Sequence, residues 1–270
     1  MLVRLGYDMQ FTLPAATAMV AMLHVHPSQA PKLIEADELV IEPPTPARDF
    51  TDTFGNRCSR FMAPKGLLRL SGSTLIEVSA EPDATDSSAR EHPVEELPSE
   101  ILQYLLSSRY CEVDLLSNIA SDLFGGLTPG WNRVAAICDW INARVAFGYQ
   151  HARSTRTAID VFIERVGVCR DFQHLAVTFC RALNIPARYV TGYLGDIGVP
   201  PPYPPGDFSA WFEVYLSNRW WTFDARHRQP RIGRVLMAVG RDAADVAITT
   251  SFGRADLQHF KVITDEVPAA

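Results

Sequence analysis

The spacing of apolar residues changes twice along this chain, and those changes limit the folds open to it. In Met1–Leu13 the residues Val3, Leu5, Tyr7, Met9 and Phe11 alternate with Arg4, Asp8 and Gln10, the period of a half-buried strand. Met19 to His26 is a second extended stretch, closed by Pro27. Phe54-Gly55-Asn56-Arg57 is a turn signal between two further runs, and Leu67–Leu70 and Thr74–Val78 supply more strand. Short strands separated by turn residues predict a β-sandwich-like unit over residues 1–80. Glu81-Pro82-Asp83-Ala84-Thr85-Asp86-Ser87-Ser88, followed by Pro93 and Pro98, reads as a linker over 81–99.

From there the period is helical. Thr128-Pro129 opens a helix whose stripe is Val134, Ile137, Cys138, Ile141 and Val145. A shorter helix is expected from Ala158 to Arg165, halted by Gly167. Another begins near Cys169, with the stripe Phe172, Leu175, Ala176, Phe179, Cys180 and Leu183, and ends at Asn184-Ile185-Pro186. The period then returns to two in Ala187–Tyr193, in Phe208–Leu216 and in Arg219–Asp224, the last two around Ser217-Asn218. Helices followed by antiparallel strands make residues 100–270 an α+β domain.

Charge narrows the partners. Lys and Arg number 25 against 31 Asp and Glu, a net charge of −6 without a basic tract, which disfavours nucleic acid and anionic membrane surfaces. No apolar run approaches the roughly eighteen residues of a membrane span, and the first residues lack the pattern of a signal peptide. The cysteines at 58, 111, 138, 169 and 180 are widely spaced, with no C-x-x-C pair. That predicts reduced thiols in a cytoplasmic protein, with neither a disulfide frame nor a zinc site. Phosphate-loop, dinucleotide, serine-hydrolase and H-E-x-x-H patterns are absent, so neither a cofactor nor a metal is expected.

Gly167-Val168-Cys169-Arg170-Asp171-Phe172 carries the chemistry. A cysteine in a first helical turn sits among unpaired backbone N–H groups at the positive end of the helix dipole, which favours a thiolate. The spacing fits equally a small hydrophobe at the end of the core stripe. In the later strands, a two-residue turn at Ser217-Asn218 pairs Leu216 with Arg219 and Trp211 with Asp224. Ser209, Trp211, Thr222 and Asp224 then share one face, with Asp224 diagonal to Ser209; a three-residue turn reverses that facing. Asp224 also fits an ordinary strand-end carboxylate.

Gly-Val-Cys-Arg-Asp-Phe before a helix, Leu-Asn-Ile-Pro-Ala-Arg-Tyr-Val-x-Gly-Tyr after it, then Asp-Phe-x-Ala-Trp-Phe-Glu-Val-Tyr and Trp-Thr-Phe-Asp closely resemble the bacterial transglutaminase-like family. That superfamily of thiol enzymes is related in architecture to papain-type proteases. The resemblance covers about residues 100 to 255, and a β-rich N-terminal region is usual in such proteins. It implies a papain-like core of helices packed on an antiparallel sheet. It also implies that Cys169 is the nucleophile and Asp224 the residue that orients a catalytic imidazole. The chemistry it implies is attack on an amide carbonyl, a thioester, and transfer of the acyl group to water or an amine, with a peptide or protein as substrate.

One residue departs from the pattern. The family's histidine precedes Ala-Trp, and here that position is Ser209, whose hydroxyl does not titrate near neutrality and cannot replace an imidazole. His151, in a loop before the site helix, and His227, three residues past Asp224, are the candidate substitutes. Simple alternation puts His227 on the opposite face unless a bulge or strand end swings it inward. His174, about 140° around the helix from Cys169, is expected to make a buried hydrogen bond. His24 and His26 lie in the N-terminal unit without further metal ligands nearby, His92 in the linker and His259 near the C-terminal end. The Cys169 backbone N–H is the first oxyanion donor, with Gln150 or Tyr149 as a second. Two functions follow: a cysteine-dependent amidase or peptidase, or a catalytically degenerate relative that uses the cleft to bind a peptide or partner protein.

Overall fold

A computed structural model describes residues 1–203 and 205–268. The N-terminal part is a sandwich built from β1 (Leu2–Leu13), β2 (Thr17–Ala21), β3 (Val40–Glu42), β4 (Ala47–Thr51), β5 (Arg57–Ala63) and β6 (Gly66–Glu77). Val3, Leu5, Tyr7, Met9, Phe11 and Leu13 of β1 are all buried, as their alternation requires, and meet Met19, Ala21, Phe61 and Ala63 of the opposing sheet. The hairpin expected at Phe54–Arg57 joins β4 and β5, with Thr51 opposite Arg57. The two runs at Leu67 and Thr74, read as at least one strand, form a single continuous one. Gly72 lies opposite Tyr7 of β1, and a Cβ there would stand 2.6 Å from the Tyr7 hydroxyl, so glycine keeps the ladder unbroken beneath that ring.

The helical part comprises α1 (Val113–Phe124), α2 (Trp131–Asn142), α3 (Ala158–Glu164) and α4 (Cys169–Ala182), with the two-residue strands β7 (Ala146–Phe147) and β8 (Val166–Gly167) between them. The α2 stripe is buried as expected, and α3 is capped by Thr157 and Asp160 in a capping box. Helix α1 has no counterpart in the sequence reading. Leu116, Ala120 and Phe124 are buried at four-residue steps with Ile119 packed beside them, while Leu115 and Leu123 of the same apolar face stay exposed, a helical stripe that the sequence reading passed over.

Helix α4 packs on a four-stranded sheet ordered β11-β10-β9-β12, from β9 (Ala187–Tyr193), β10 (Phe208–Leu216), β11 (Arg219–Phe223) and β12 (Val235–Gly240). Phe172, Leu175, Ala176 and Phe179 meet Phe212, Val214 and Leu216. At the far end of the same strands Tyr193, Phe208, Val235 and Met237 join the core of the sandwich. The α+β core is therefore laid directly against the β-rich unit. Ser217 and Asn218 have φ of 48° and 62°, the two-residue turn that sets Leu216 opposite Arg219.

Two boundaries differ from the sequence reading. Strands β13 (Thr249–Ser251) and β14 (Asp256–Val267) leave the helical part and pair with β2 and β1, so the α+β domain does not run to residue 270. The stretch expected as a linker is anchored at several points. Ala89 is buried, Glu91 holds Arg133 and the Gly130 N–H, and Asp83 accepts from the Arg231 N–H. Asp83, Glu91 and His92 are partners of the second half, while Glu81, Ser87, Ser88, Glu95 and Glu96 remain exposed between these anchors. Among the described residues no helix is long and apolar enough to cross a membrane, and the five cysteines are unpaired.

Candidate active site

Cys169 is the first residue of α4, separated from β8 by Val168 alone. The turn that presents it is held by Asp171, which is fully buried and accepts from the Val168 N–H at 3.0 Å. Asp171 also takes the charges of Arg170, at 3.0 Å, and Arg156, at 3.3 Å. Those cations serve the helix start rather than the thiol. Burial pushes the Cys169 thiol up to about 11, and the carboxylate of Asp207 adds to the rise. Arg226 and the backbone N–H groups of Arg170 and Ala210 oppose it without cancelling it. The helix start alone does not deliver a resting thiolate, contrary to the expectation from position: desolvation outweighs the local dipole.

The ladder between β10 and β11 stops at Phe212 opposite Phe223, so the expected Trp211–Asp224 pair does not form. Beyond that point the backbone of Ala210 faces α4 instead of a strand. Gln173, one turn along α4 from Cys169 and fully buried, fills the space. Its Nε2 donates to the Ala210 carbonyl at 3.2 Å and to Asp224 Oδ1 at 3.0 Å, and its Oε1 accepts from the Ala225 N–H at 3.2 Å.

Because the strand has ended, alternation no longer governs the residues after Phe223. Asp224 Oδ1 accepts from the Arg226 and His227 N–H groups at 2.9 and 3.1 Å, which folds the chain back on itself. The turn returns the His227 ring to its own carboxylate, with Nδ1 at 2.9 Å from Oδ2. Oδ2 also accepts from Arg234 Nη2 at 3.0 Å, and Arg234 Nε donates to Asp83 at 2.8 Å. Burial works against ionisation of Asp224, but the His227 hydrogen bond and the Arg234 charge outweigh it and hold the carboxyl well below its usual range. Donation from Nδ1 leaves Nε2 as the acceptor of a neutral imidazole, and among the described residues Nε2 has no partner.

Cys169, Ser209 and His227 line one open cavity of about 660 Å³, together with Tyr149, Asp207 and Arg226. Ser209 occupies the wall where the family pattern has histidine. His151 and Gln150 are not on this wall; the Gln150 Nε2 lies 3.3 Å from His151 Nε2 in an exposed turn. His174 is buried, accepts from the Ala243 N–H at 3.1 Å and stacks on Tyr110. His24 contacts Ser59 at 3.0 Å, His26 faces Ser28 at 2.8 Å, His92 accepts from the Asn218 N–H at 3.0 Å, and His259 lies on β14. Among the described residues no three His, Cys, Asp or Glu side chains are grouped to hold a metal ion.

Gln173, Arg234 and Asp207 were not anticipated as site residues. The four-residue step from Cys169 to Gln173 puts both on one helix face and was a usable signal. Asp207 lies in the quoted Asp-Phe-x-Ala-Trp segment. Nothing local marks Arg234.

Residues 117–225 match the transglutaminase-like superfamily. The solved structure of "a Putative Cysteine Protease from Cytophaga hutchinsonii" is 30% identical, with a TM-score of 0.85 over 100% of this chain and 92% of that one. An uncharacterized protein of Mycobacterium leprae is 29% identical over 117 residues, and the match spans 42% of each chain.

Proposed function

This chain belongs to the transglutaminase-like superfamily, and we propose on that footing that it is a cysteine-dependent enzyme acting on amide or peptide bonds. Cys169 is the nucleophile, His227 the general base and Asp224 the residue that orients the imidazole. One observation carries the reading: the 2.9 Å contact of His227 Nδ1 with Asp224, on a ring that lines the same cavity as Cys169. The imidazole missing from position 209 is supplied from the turn after β11.

Each step then has a group to perform it. His227 Nε2 takes the Cys169 proton as sulfur attacks the carbonyl carbon, and Asp224 stabilises the imidazolium. The oxyanion accepts from the Cys169 backbone N–H, which has no intrahelical acceptor. His227 returns the proton to the departing amine, leaving a thioester on Cys169. A water, or a second amine, gives its proton to His227 and attacks the thioester. The acyl group leaves as acid or amide, and the sulfur regains its proton. Because the resting thiol lies near 11, proton transfer accompanies attack rather than preceding it.

The same raised thiol, with serine at 209, favours a second reading in which the cleft binds a peptide without cutting it. Hydrolysis of a mixed peptide library by the native protein, C169A and H227N separates the two. Cleavage that both substitutions lower by about a thousandfold supports the enzyme. Cleavage by none of the three, with peptide still retained, supports the binder.

A further inference from the structure

Asp207 stands at the mouth of β10, two residues before Ser209, half-buried on the wall of the Cys169 cavity. The other charged groups around it are engaged or turned aside. Arg231 donates to the Gly195 carbonyl at 2.9 Å and meets Asp196 at 3.4 Å. The Arg226 guanidinium lies over the Phe147 ring, 3.7 Å from its centre. His227 belongs to Asp224. Among the described residues no Lys, Arg or His forms an ion pair with Asp207; the Tyr149 hydroxyl, the Phe208 N–H and, beyond contact, the Arg226 charge act on it, and burial outweighs them. A partly desolvated carboxylate without a direct ion-pair partner is costly to hold.

Its position is also adverse to the chemistry. Among the charged groups near Cys169, Asp207 is the one that opposes ionisation of the sulfur, and only burial opposes it more. A carboxylate that weakens the nucleophile makes sense where an incoming positive charge cancels it.

We propose that Asp207, with the Tyr149 hydroxyl, is a recognition site for a cationic amine on the substrate, placed beside the carbonyl that Cys169 attacks. The substrates are therefore amides that carry a free α-amino group or a lysine-like side chain near the scissile bond. Binding of the ammonium neutralises Asp207, and the sulfur becomes easier to ionise as the substrate arrives. This deepens the proposed function and rests on Cys169 as the attacking sulfur, but its charge selectivity is measurable without turnover.

Two measurements test it. In the first, Cys169 is modified by aminoethyl, methyl and sulfonatoethyl methanethiosulfonate, with site-resolved mass spectrometry and the buried cysteines as internal controls. The sulfur forms a disulfide and methanesulfinate leaves, so no enzymatic step is needed. The cationic reagent should outpace the neutral one at Cys169, and Asp207→Asn should reduce that ratio by about tenfold. Normalising to the neutral reagent removes any general change in thiol reactivity. An unchanged ratio in D207N, or a preference for the anionic reagent, which would assign the wall to Arg226, overturns the proposal. In the second, the Nα-acetyl-lysyl, norleucyl and Nα-acetylnorleucyl amides of aminomethylcoumarin are compared. A kcat/KM for either cationic amide above that for the acetylnorleucyl amide, collapsing in D207N, supports the proposal, and equal turnover of all three overturns it. No turnover of any, with the cationic preference intact in the first measurement, overturns the thiol-enzyme reading while the charge selectivity of Asp207 stands.

Discussion

Arg234 Nη2 donates to Asp224 at 3.0 Å, on the oxygen that His227 also uses. The carboxylate that orients the proposed base thus already has a permanent cation beside it. Replacing that cation by an apolar chain of similar length, R234M, removes one of the two groups that hold the Asp224 carboxyl low and fix its place. The kcat/KM should fall by about tenfold, and R234K should restore it. Loss of the buried pair should also lower stability by about 3 kcal/mol, read from denaturant unfolding; a purely structural role would move the second measurement and not the first.

If His227 is the base, H227N should reduce amide cleavage by about a thousandfold. S209H should lower the activity of the native protein by about tenfold rather than raise it. A second imidazole would enter the wall of a cavity already served by His227. A gain of activity in S209H would instead identify a site that had lost its histidine.

The thiol offers a pH test. With Cys169 held near 11, the rate of iodoacetamide labelling should climb about tenfold per pH unit through neutrality, following the thiolate fraction. A plateau that begins below pH 7 would mean a preformed ion pair and would contradict proton transfer during attack. The other four cysteines are buried and should label slowly in the native state.

Asp224 ionises more readily folded than unfolded, so its contribution to stability is complete above the ordinary carboxylate range and fades as pH falls through its folded value. Native protein should exceed D224N by about 3 kcal/mol at pH 7. The difference should stay constant to about pH 5 and narrow below about pH 4, as measured by urea unfolding across that range.

Much of the site was legible because its signals are local. A glycine ending one element and a cysteine opening a helix located Cys169, and the Ser217-Asn218 turn located the register that carries β11 toward Asp224. His227 was named beside His151, but simple alternation put it on the far face: alternation ends at Phe223, and the side chain of Asp224 itself bends the chain back. Arg234 and Asp83 are 151 residues apart, and nothing near either one records the other. The same holds for β14, whose partner β1 lies at the other end of the sequence; α1, by contrast, carries a legible stripe in Leu116, Ile119, Ala120, Leu123 and Phe124 that the reading passed over.

The pairing of Leu2 with Val267 and of Tyr7 with Val262 also sets an order of events during synthesis. Every residue of the cleft, from Tyr149 to Arg234, leaves the ribosome before the strand that covers the outer edge of β1. Until β14 arrives, that edge presents unpaired N–H and C=O groups beside a core that is otherwise assembled. The longest-range contacts in the molecule must therefore close last, and a chain stalled after the cleft would display an adhesive strand.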